Sequence, residues 1–324
     1  MIEIVATQAL NTVQDLGRFG VRHYGVSTSG VMDALAFKVA NDLLGNAENA
    51  AAVEVQTFPF TIRFLADLAF AVTGAEAAVE LDGRPLPPWW SDAARAGQTL
   101  TLSMPRSGSR SYLALAGGID VPVVLNSRST HLRSGFGGHE GRSLQVGDVL
   151  TVLPGHEAPS RPLGLVPPGL AIPVPPTEPG ENAMVLRVMR AGEYDIFPVE
   201  MQERFWQTRW KISHQSDRAG YRLAGPPLEL PAPVELRSYG LLAGIVQVPP
   251  SGVPIIQLSD ANTAGGYPKM AAVIEADLWR LGQARPGSLI RFRDVTHDEA
   301  AAAMYPVEAY LAEVRRTVDL YRTL

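Results

Sequence analysis

The residues best suited to chemistry fall in one stretch, Gln247 to Met270, reading QVPPSGVPIIQLSDANTAGGYPKM. An apolar strand-like run from Val253 to Leu258 leads into a polar turn carrying Asp260, Asn262 and Thr263, then the glycine pair Gly265 and Gly266. A helix is expected to open at Pro268 and run from about Lys269 to Leu281. Glycine lets backbone approach a ligand closely, and proline suits the first helical position because its missing N–H would go unpaired there anyway. The unsatisfied donors of a helix N-terminus attract carboxylate, phosphate or a developing oxyanion. Lys269 opposes the helix dipole at that point by about 0.3–1 kcal/mol, a conflict that a bound anion removes. The same residues also read as a plain strand-to-helix connection with Lys269 in water.

Other constellations carry weaker signals. The loop Ser127 to Arg142, SRSTHLRSGFGGHEGR, concentrates glycines with Arg128, Arg133 and Arg142. Guanidinium forks bind planar carboxylate or phosphate bidentately, so the loop reads either as an anion site or as a surface loop. No Gly-Lys-Ser/Thr follows it, which excludes a phosphate-binding P-loop. His131, His139 and His156 lack the spacing of a metal motif, so no metal is expected. Asp217-Arg218 reads as a substrate-positioning pair or a salt-bridged turn, and Asp15 and Arg18, in a glycine-bearing loop with Arg22 and His23, carry the same ambiguity. No Gly-x-Ser-x-Gly elbow is present to expose a serine nucleophile.

The chain has 324 residues, enough for two domains of ordinary size. Its 28 Lys plus Arg against 33 Asp plus Glu give a formal net charge of -5, without the basic footprint of a nucleic-acid binder. The absence of cysteine excludes disulfides, Cys-ligated zinc, iron–sulfur clusters and a thiol nucleophile. The opening residues MIEIVATQAL lack a basic n-region and an apolar run of signal length, and no later run reaches membrane length. A cytoplasmic protein away from membranes is the expectation. Lysine occurs only at 38, 211 and 269.

The elements that must position these residues are mostly short strands. Ser29 is expected to cap a helix with apolar residues at Met32, Leu35, Val39 and Leu43, closed by Gly45-Asn46. Strands are expected at Ala51 to Gln56, Thr61 to Phe64, Leu68 to Thr73 and Ala77 to Leu81, and later at Met184 to Met189, Lys211 to Ser213, Val234 to Arg237 and Gly244 to Val248. A short helix is expected at Asp195 to Trp206 and a longer one at Pro306 to Leu324. A glycine turn recurs before a short strand at Ala96-Gly97-Gln98, Val146-Gly147-Asp148 and Pro286-Gly287-Ser288, which suggests two halves built from related all-β units. Proline is dense between 154 and 179, as in a stiff interdomain crossing. The resulting division is 1–155, a crossing at 156–180, 181–296, and a C-terminal helix at 297–324.

Four motifs in order, VQDLGRFGVRHYGVSTSGVMD (13–33), AGGIDVPVVLNSRSTHLRSGFGGHEGR (116–142), HQSDRAGYRLAGP (214–226) and GIVQVPPSGVPIIQLSDANTAGGYPK (244–269), resemble the biotin-dependent carboxyltransferase-like family, also labelled allophanate hydrolase subunit 2. Its free-standing bacterial members include the C-type subunit of 5-oxoprolinase and the antagonist of a sporulation kinase inhibitor. The resemblance implies a mainly β fold of tandem cyclophilin-like β-barrel domains with a few short helices. It also implies a component of an ATP-dependent 5-oxoprolinase that works with a B-type, kinase-inhibitor-like partner and an A-type partner on a small-molecule lactam. No cofactor would be bound by this chain alone, ATP being used by the complex. In such a site Lys269 and the N–H groups near Gly265 and Gly266 would stabilise the anion and Asp260 would orient water or accept a hydrogen bond. Arg218 or Arg133 would clamp the substrate carboxylate, and Asp217, Asn262, Thr263 and Tyr267 would belong to the substrate pocket. The family usually shows Gln-Thr-Thr where Asn262-Thr263-Ala264 stands, a departure that bears on substrate identity more than on fold. Two alternatives accompany this reading: a carboxyltransferase component of a urea-carboxylase-like system that receives biotin from a separate carrier, and a regulator that only binds the kinase-inhibitor-like partner.

Overall fold

The computed structural model describes residues 1–154, 161–177, 182–232, 234 and 236–322. Both ends of the proline-rich crossing, 156–160 and 178–180, and with them His156, therefore lie outside the described residues. Two compact units emerge, one comprising Met1–Phe19, Ser29–Ala171 and Glu308–Leu324, the other Gly20–Thr28 and Ile172–Val307. Neither is a single continuous piece of chain.

In the first unit two antiparallel sheets share one core. The seven-stranded sheet runs Ile119–Asp120, Val149–Val152, Ile2–Ala6, Phe60–Phe64, Thr99–Leu102, Val79–Leu81, Arg84–Leu86. The six-stranded sheet runs Leu163–Gly164, Trp90–Ala94, Leu68–Gly74, Ser111–Leu115, Ala52–Val55, Thr12–Gln14. Alternation along Ile2–Ala6 and Phe60–Phe64 sends Ile2, Ile4, Phe60, Ile62 and Phe64 inward, where they meet Val53, Val55, Phe70, Val72, Leu113 and Leu115 of the other sheet. The helix Ala34–Leu44 forms where its apolar spacing predicts, with Gly45 as its left-handed C-cap. Its N-cap is Asp33 rather than Ser29: the Asp33 carboxylate accepts from the Ala36 N–H at 2.9 Å, the geometry a short acid at that position provides.

The second unit is a closed barrel in the order Met184–Arg190, Lys269–Val273, Ile245–Gln247, Ile255–Gln257, Gly220–Ala224, Trp210–Ile212, Leu289–Asp294. Neighbours are antiparallel except where Leu289–Asp294 closes on Met184–Arg190 in parallel. A small ribbon pairs Tyr239–Gly240 with Ala264–Gly265. The expected strand at Val234 to Arg237 does not form at 234, 236 or 237. The few helices, among them Val199–Gln207, Glu275–Gln283, His297–Ala302 and Tyr305–Arg322, leave the fold mainly β. None among the described residues is long and apolar enough to cross a membrane.

The three glycine turns share one geometry. Gly97, Gly147 and Gly287 each have φ +91°. In each, the glycine N–H donates to a strand carbonyl (Phe64, Ile4 and Ile212), and the N–H of that same strand residue donates back to the residue after the glycine. The left-handed backbone explains the glycine, and the recurrence in both units gives the suspected repeat a structural form at this scale.

One expectation fails where it matters most. Lys269 does not open a helix: Lys269–Val273 is a barrel strand, and the helix begins only at Glu275. The strand is hydrogen-bonded on both edges, to Ile245–Gln247 and to Met184–Arg190, and four of its five residues are buried. A strand covered on both faces loses its period-two signature, so Met270 and Ile274 fit a helical spacing by coincidence.

Candidate functional site

Lys269 is 2 % exposed at the start of its strand. Its ammonium donates to the Gly265 carbonyl at 3.1 Å and lies 3.2 Å from the centroid of the Tyr239 ring. No carboxylate lies within ion-pair distance of it among the described residues. Burial holds the ammonium below the ordinary lysine pKa, an effect the negative charge of Glu193 opposes. Glu193 accepts the Lys269 backbone N–H at 3.0 Å, and its two carboxylate oxygens receive the Tyr239 hydroxyl at 2.6 and 2.8 Å. Burial, then that hydrogen bond, push the phenol up to about 12.

The two glycines serve packing rather than a helix end. A Cβ on Gly265 would stand 2.9 Å from both Gln247 Nε2 and Leu241 Cδ1, and one on Gly266 2.7 Å from the Leu236 carbonyl oxygen. Gln247, buried on the strand beside Lys269, donates to the Tyr267 carbonyl at 3.2 Å and accepts from Gln257 Nε2 at 3.0 Å. The amides of Gln247 and Gln257 thus brace the loop that carries the Lys269 acceptor. Tyr267 itself is 49 % exposed. Asn262 is exposed, and the Thr263 carbonyl accepts the Leu241 N–H at 3.0 Å.

Asp260 and Arg218, expected to act on water and on a substrate carboxylate, bind each other. Arg218 Nε donates to Asp260 Oδ2 at 2.9 Å, with side-chain exposures of 6 % and 10 %. The Arg218 carbonyl also accepts the Asp260 N–H at 3.0 Å, so the pair fastens two turns of the barrel. Asp217 accepts from the N–H groups of Ala219 and Gly220 at 2.8 and 3.2 Å, an Asx-type turn. The Asp217-Arg218 motif thus serves turn geometry.

Arg133 belongs to the first unit, exposed on its own loop. In that loop Arg142 is committed to Asp148 at 2.8 and 2.9 Å and to Glu140 at 2.7 Å. The Arg142 guanidinium, by its hydrogen bond, holds the Asp148 carboxyl below its usual range. Asp15 is buried and accepts from Ser127 and Ser129 hydroxyls at 2.6 and 2.5 Å and from the Arg128 N–H at 2.6 Å, while Arg18 lies over the Phe136 ring at 4.7 Å. These residues knit the glycine-rich loop to the first unit. In the second unit Arg22 donates to the Thr28 hydroxyl at 3.1 Å. Among the described residues no cluster of three or more His, Cys, Asp or Glu is placed to hold a metal.

Sequence reasoning missed Glu193 and Tyr239. They stand 76 residues before Lys269 and 46 residues after Glu193 respectively, and no local spacing links them.

With its closed barrel and the buried Lys269 on one of the barrel strands, the chain is similar in fold to two solved structures. One is the K. lactis urea amidolyase, with a TM-score of 0.86 and 29 % identity over 97 % of this chain and 20 % of that one. The other is the Kluyveromyces lactis urea carboxylase, with a TM-score of 0.85 and 29 % identity over 97 % of this chain and 29 % of that one. Residues 24–294 match the family described as carboxyltransferase domain, subdomain A and B, and the chain belongs to that family. It is 44 % identical to the C-type subunit of 5-oxoprolinase from Haemophilus influenzae over 98 % of this chain and 99 % of that protein. It is 40 % identical to the corresponding 5-oxoprolinase protein of Escherichia coli over 97 % of each. The urea amidolyase of Saccharomyces cerevisiae is 33 % identical over 92 % of this chain, which spans only 17 % of that protein.

Proposed function

We propose that this chain is the C-type subunit of an ATP-dependent 5-oxoprolinase, opening a lactam to glutamate together with A-type and B-type partners. The observation that carries the reading is identity of 44 % and 40 % across essentially the full length of two proteins named as C-type subunits of 5-oxoprolinase. Lys269 supplies the chemistry this chain brings. ATP phosphorylates the amide oxygen on a partner or at its boundary and leaves as ADP; water then adds to the activated carbon, the ring C–N bond opens and phosphate departs, so negative charge is carried by the phosphoryl oxygens throughout. A buried ammonium with no carboxylate in ion-pair contact among the described residues stabilises such charge, because little water screens it and the Glu193 carboxylate is held by the Tyr239 phenol instead. Asp260 and Arg218 act by holding the turn before Asn262 and Thr263, and Tyr267 offers an exposed ring at its edge.

A second reading has its own support. The urea amidolyase and urea carboxylase relatives favour a carboxyl-transfer component, in which a biotin ureido oxygen would meet the same donors. The donor set, an ammonium with nearby amides, suits a ureido oxygen as well as a lactam oxygen. Co-purifying the chain with its A-type and B-type partners and supplying either 5-oxoproline with ATP or urea with a carboxylated biotin carrier separates the two. Glutamate and ADP from the first mixture support the proposal, and product from the second alone replaces it.

A further inference from the structure

The ammonium of Lys269 sits in a closed circuit of contacts that no motif announces. A lysine side chain has many rotamers to lose, and a catalytic cation is effective only when it need not reorganise as charge develops. We propose that Tyr239 and Glu193 are positioning residues for Lys269: the ring seats the ammonium from one face, and the Glu193 carboxylate fixes both the ring and the first N–H of the lysine's strand. This inference rests on the reading of Lys269 as the anion-stabilising group.

Each link is a short contact. The ammonium lies 3.2 Å from the ring centroid, well inside the roughly 6 Å over which an aromatic face attracts a cation. The Tyr239 backbone pairs with Gly265, whose carbonyl accepts from the ammonium at 3.1 Å. The phenol is anchored to Glu193, which also receives the Lys269 backbone N–H. Glu193 is the acid in this circuit, yet its oxygens are committed to a phenol and a backbone amide instead of the ammonium. A lysine placed only for stability would be expected to take that carboxylate as its ion-pair partner. Here the cation is held by a ring face and a carbonyl, two partners that locate it without neutralising it. The remaining N–H bonds of the ammonium are thereby kept for a substrate oxygen.

With lysine only at 38, 211 and 269, the ammonium can be watched directly in the free chain labelled with ¹³C-lysine. The side-chain signals of Lys269, assigned by their loss in Lys269→Arg, should be shifted upfield by the Tyr239 ring current. Tyr239→Leu should return them to the range of Lys38 and Lys211, and Tyr239→Phe, which keeps the ring, should not. In the assembled enzyme with 5-oxoproline and ATP, Tyr239→Leu should lower kcat by about 10- to 100-fold with KM changed less than about threefold. Tyr239→Phe, which keeps the ring but loses its Glu193 anchor, should restore part of that rate and fall between Tyr239→Leu and the wild type. Tyr239 is 44 % exposed, so the leucine variant should fold, and its unfolding midpoint serves as the control. A Lys269 signal indifferent to Tyr239→Leu, or a Tyr239→Leu enzyme of full activity, overturns the proposal. Full activity in Lys269→Met would instead remove the catalytic reading of the lysine, while the spectra still decide whether the ring seats it.

Discussion

Burying an ammonium with a single hydrogen-bond acceptor and a ring face is unfavourable for folding, so Lys269 should be a residue the fold tolerates at some expense. Its folded-state pKa is lowered by burial. Between that value and the unfolded lysine value the unfolded chain binds more protons, so stability should rise with pH in that interval, and the full penalty applies below it. Lys269→Met should therefore raise stability at pH 7 by about 1 kcal/mol, or about 2–4 °C in the unfolding midpoint. The advantage should shrink when melting is repeated near the lysine range. The same substitution should lower the rate of the assembled enzyme by about 10²–10³-fold. Arg218 and Asp260 should behave in the opposite way. Asp260→Asn leaves a buried guanidinium without its carboxylate and should destabilise the chain by about 3–5 kcal/mol. The paired substitution Arg218→Met with Asp260→Leu should recover most of that loss in denaturant melts.

At the scale of elements, the loop 262–268 holds the acceptor for Lys269, and its shape depends on Gly266. A methyl group there would meet the Leu236 carbonyl oxygen, a backbone atom that cannot swing aside. Gly266→Ala should thus disturb the Tyr239–Gly265 ribbon and lower activity by about tenfold or more with the barrel intact, read from far-UV circular dichroism beside the rate. Much at this scale was legible. The helix Ala34–Leu44, the strands about Phe60–Phe64 and Leu68–Gly74, and the three glycine turns follow from apolar spacing and turn chemistry. The strand Lys269–Val273 was not legible, because a barrel strand buried on both faces shows neither alternation nor a break, and Pro268 and Glu275 imitate helix signals around it. Lys269 was found as a candidate for a reason that proved incorrect, since its setting is a ring face and a loop carbonyl and not a helix dipole. Glu193 and Tyr239 were hidden because strand pairing, not sequence spacing, brings them to it. Asp260 and Arg218 were found as candidates, but only three-dimensional proximity reveals that each is the other's partner.

At the scale of the whole molecule, the family was legible from four ordered motifs, and the full-length match to two free-standing subunits outweighs the partial match to the large urea enzymes. The chain spans 99 % of one such protein but 20 % of a urea amidolyase. On the proposed reading, turnover should need both the A-type and the B-type partner beside this chain. The most direct test is the rate of ADP and glutamate release from 5-oxoproline by the co-purified ternary assembly, measured with the wild-type chain and with Lys269→Met. The account predicts equal molar release of both products with the wild-type chain, and a loss of about 10²–10³-fold in the variant although the complex still assembles. An assembled complex that opens no lactam in the presence of ATP, or one that turns over equally well with Lys269→Met, would contradict it.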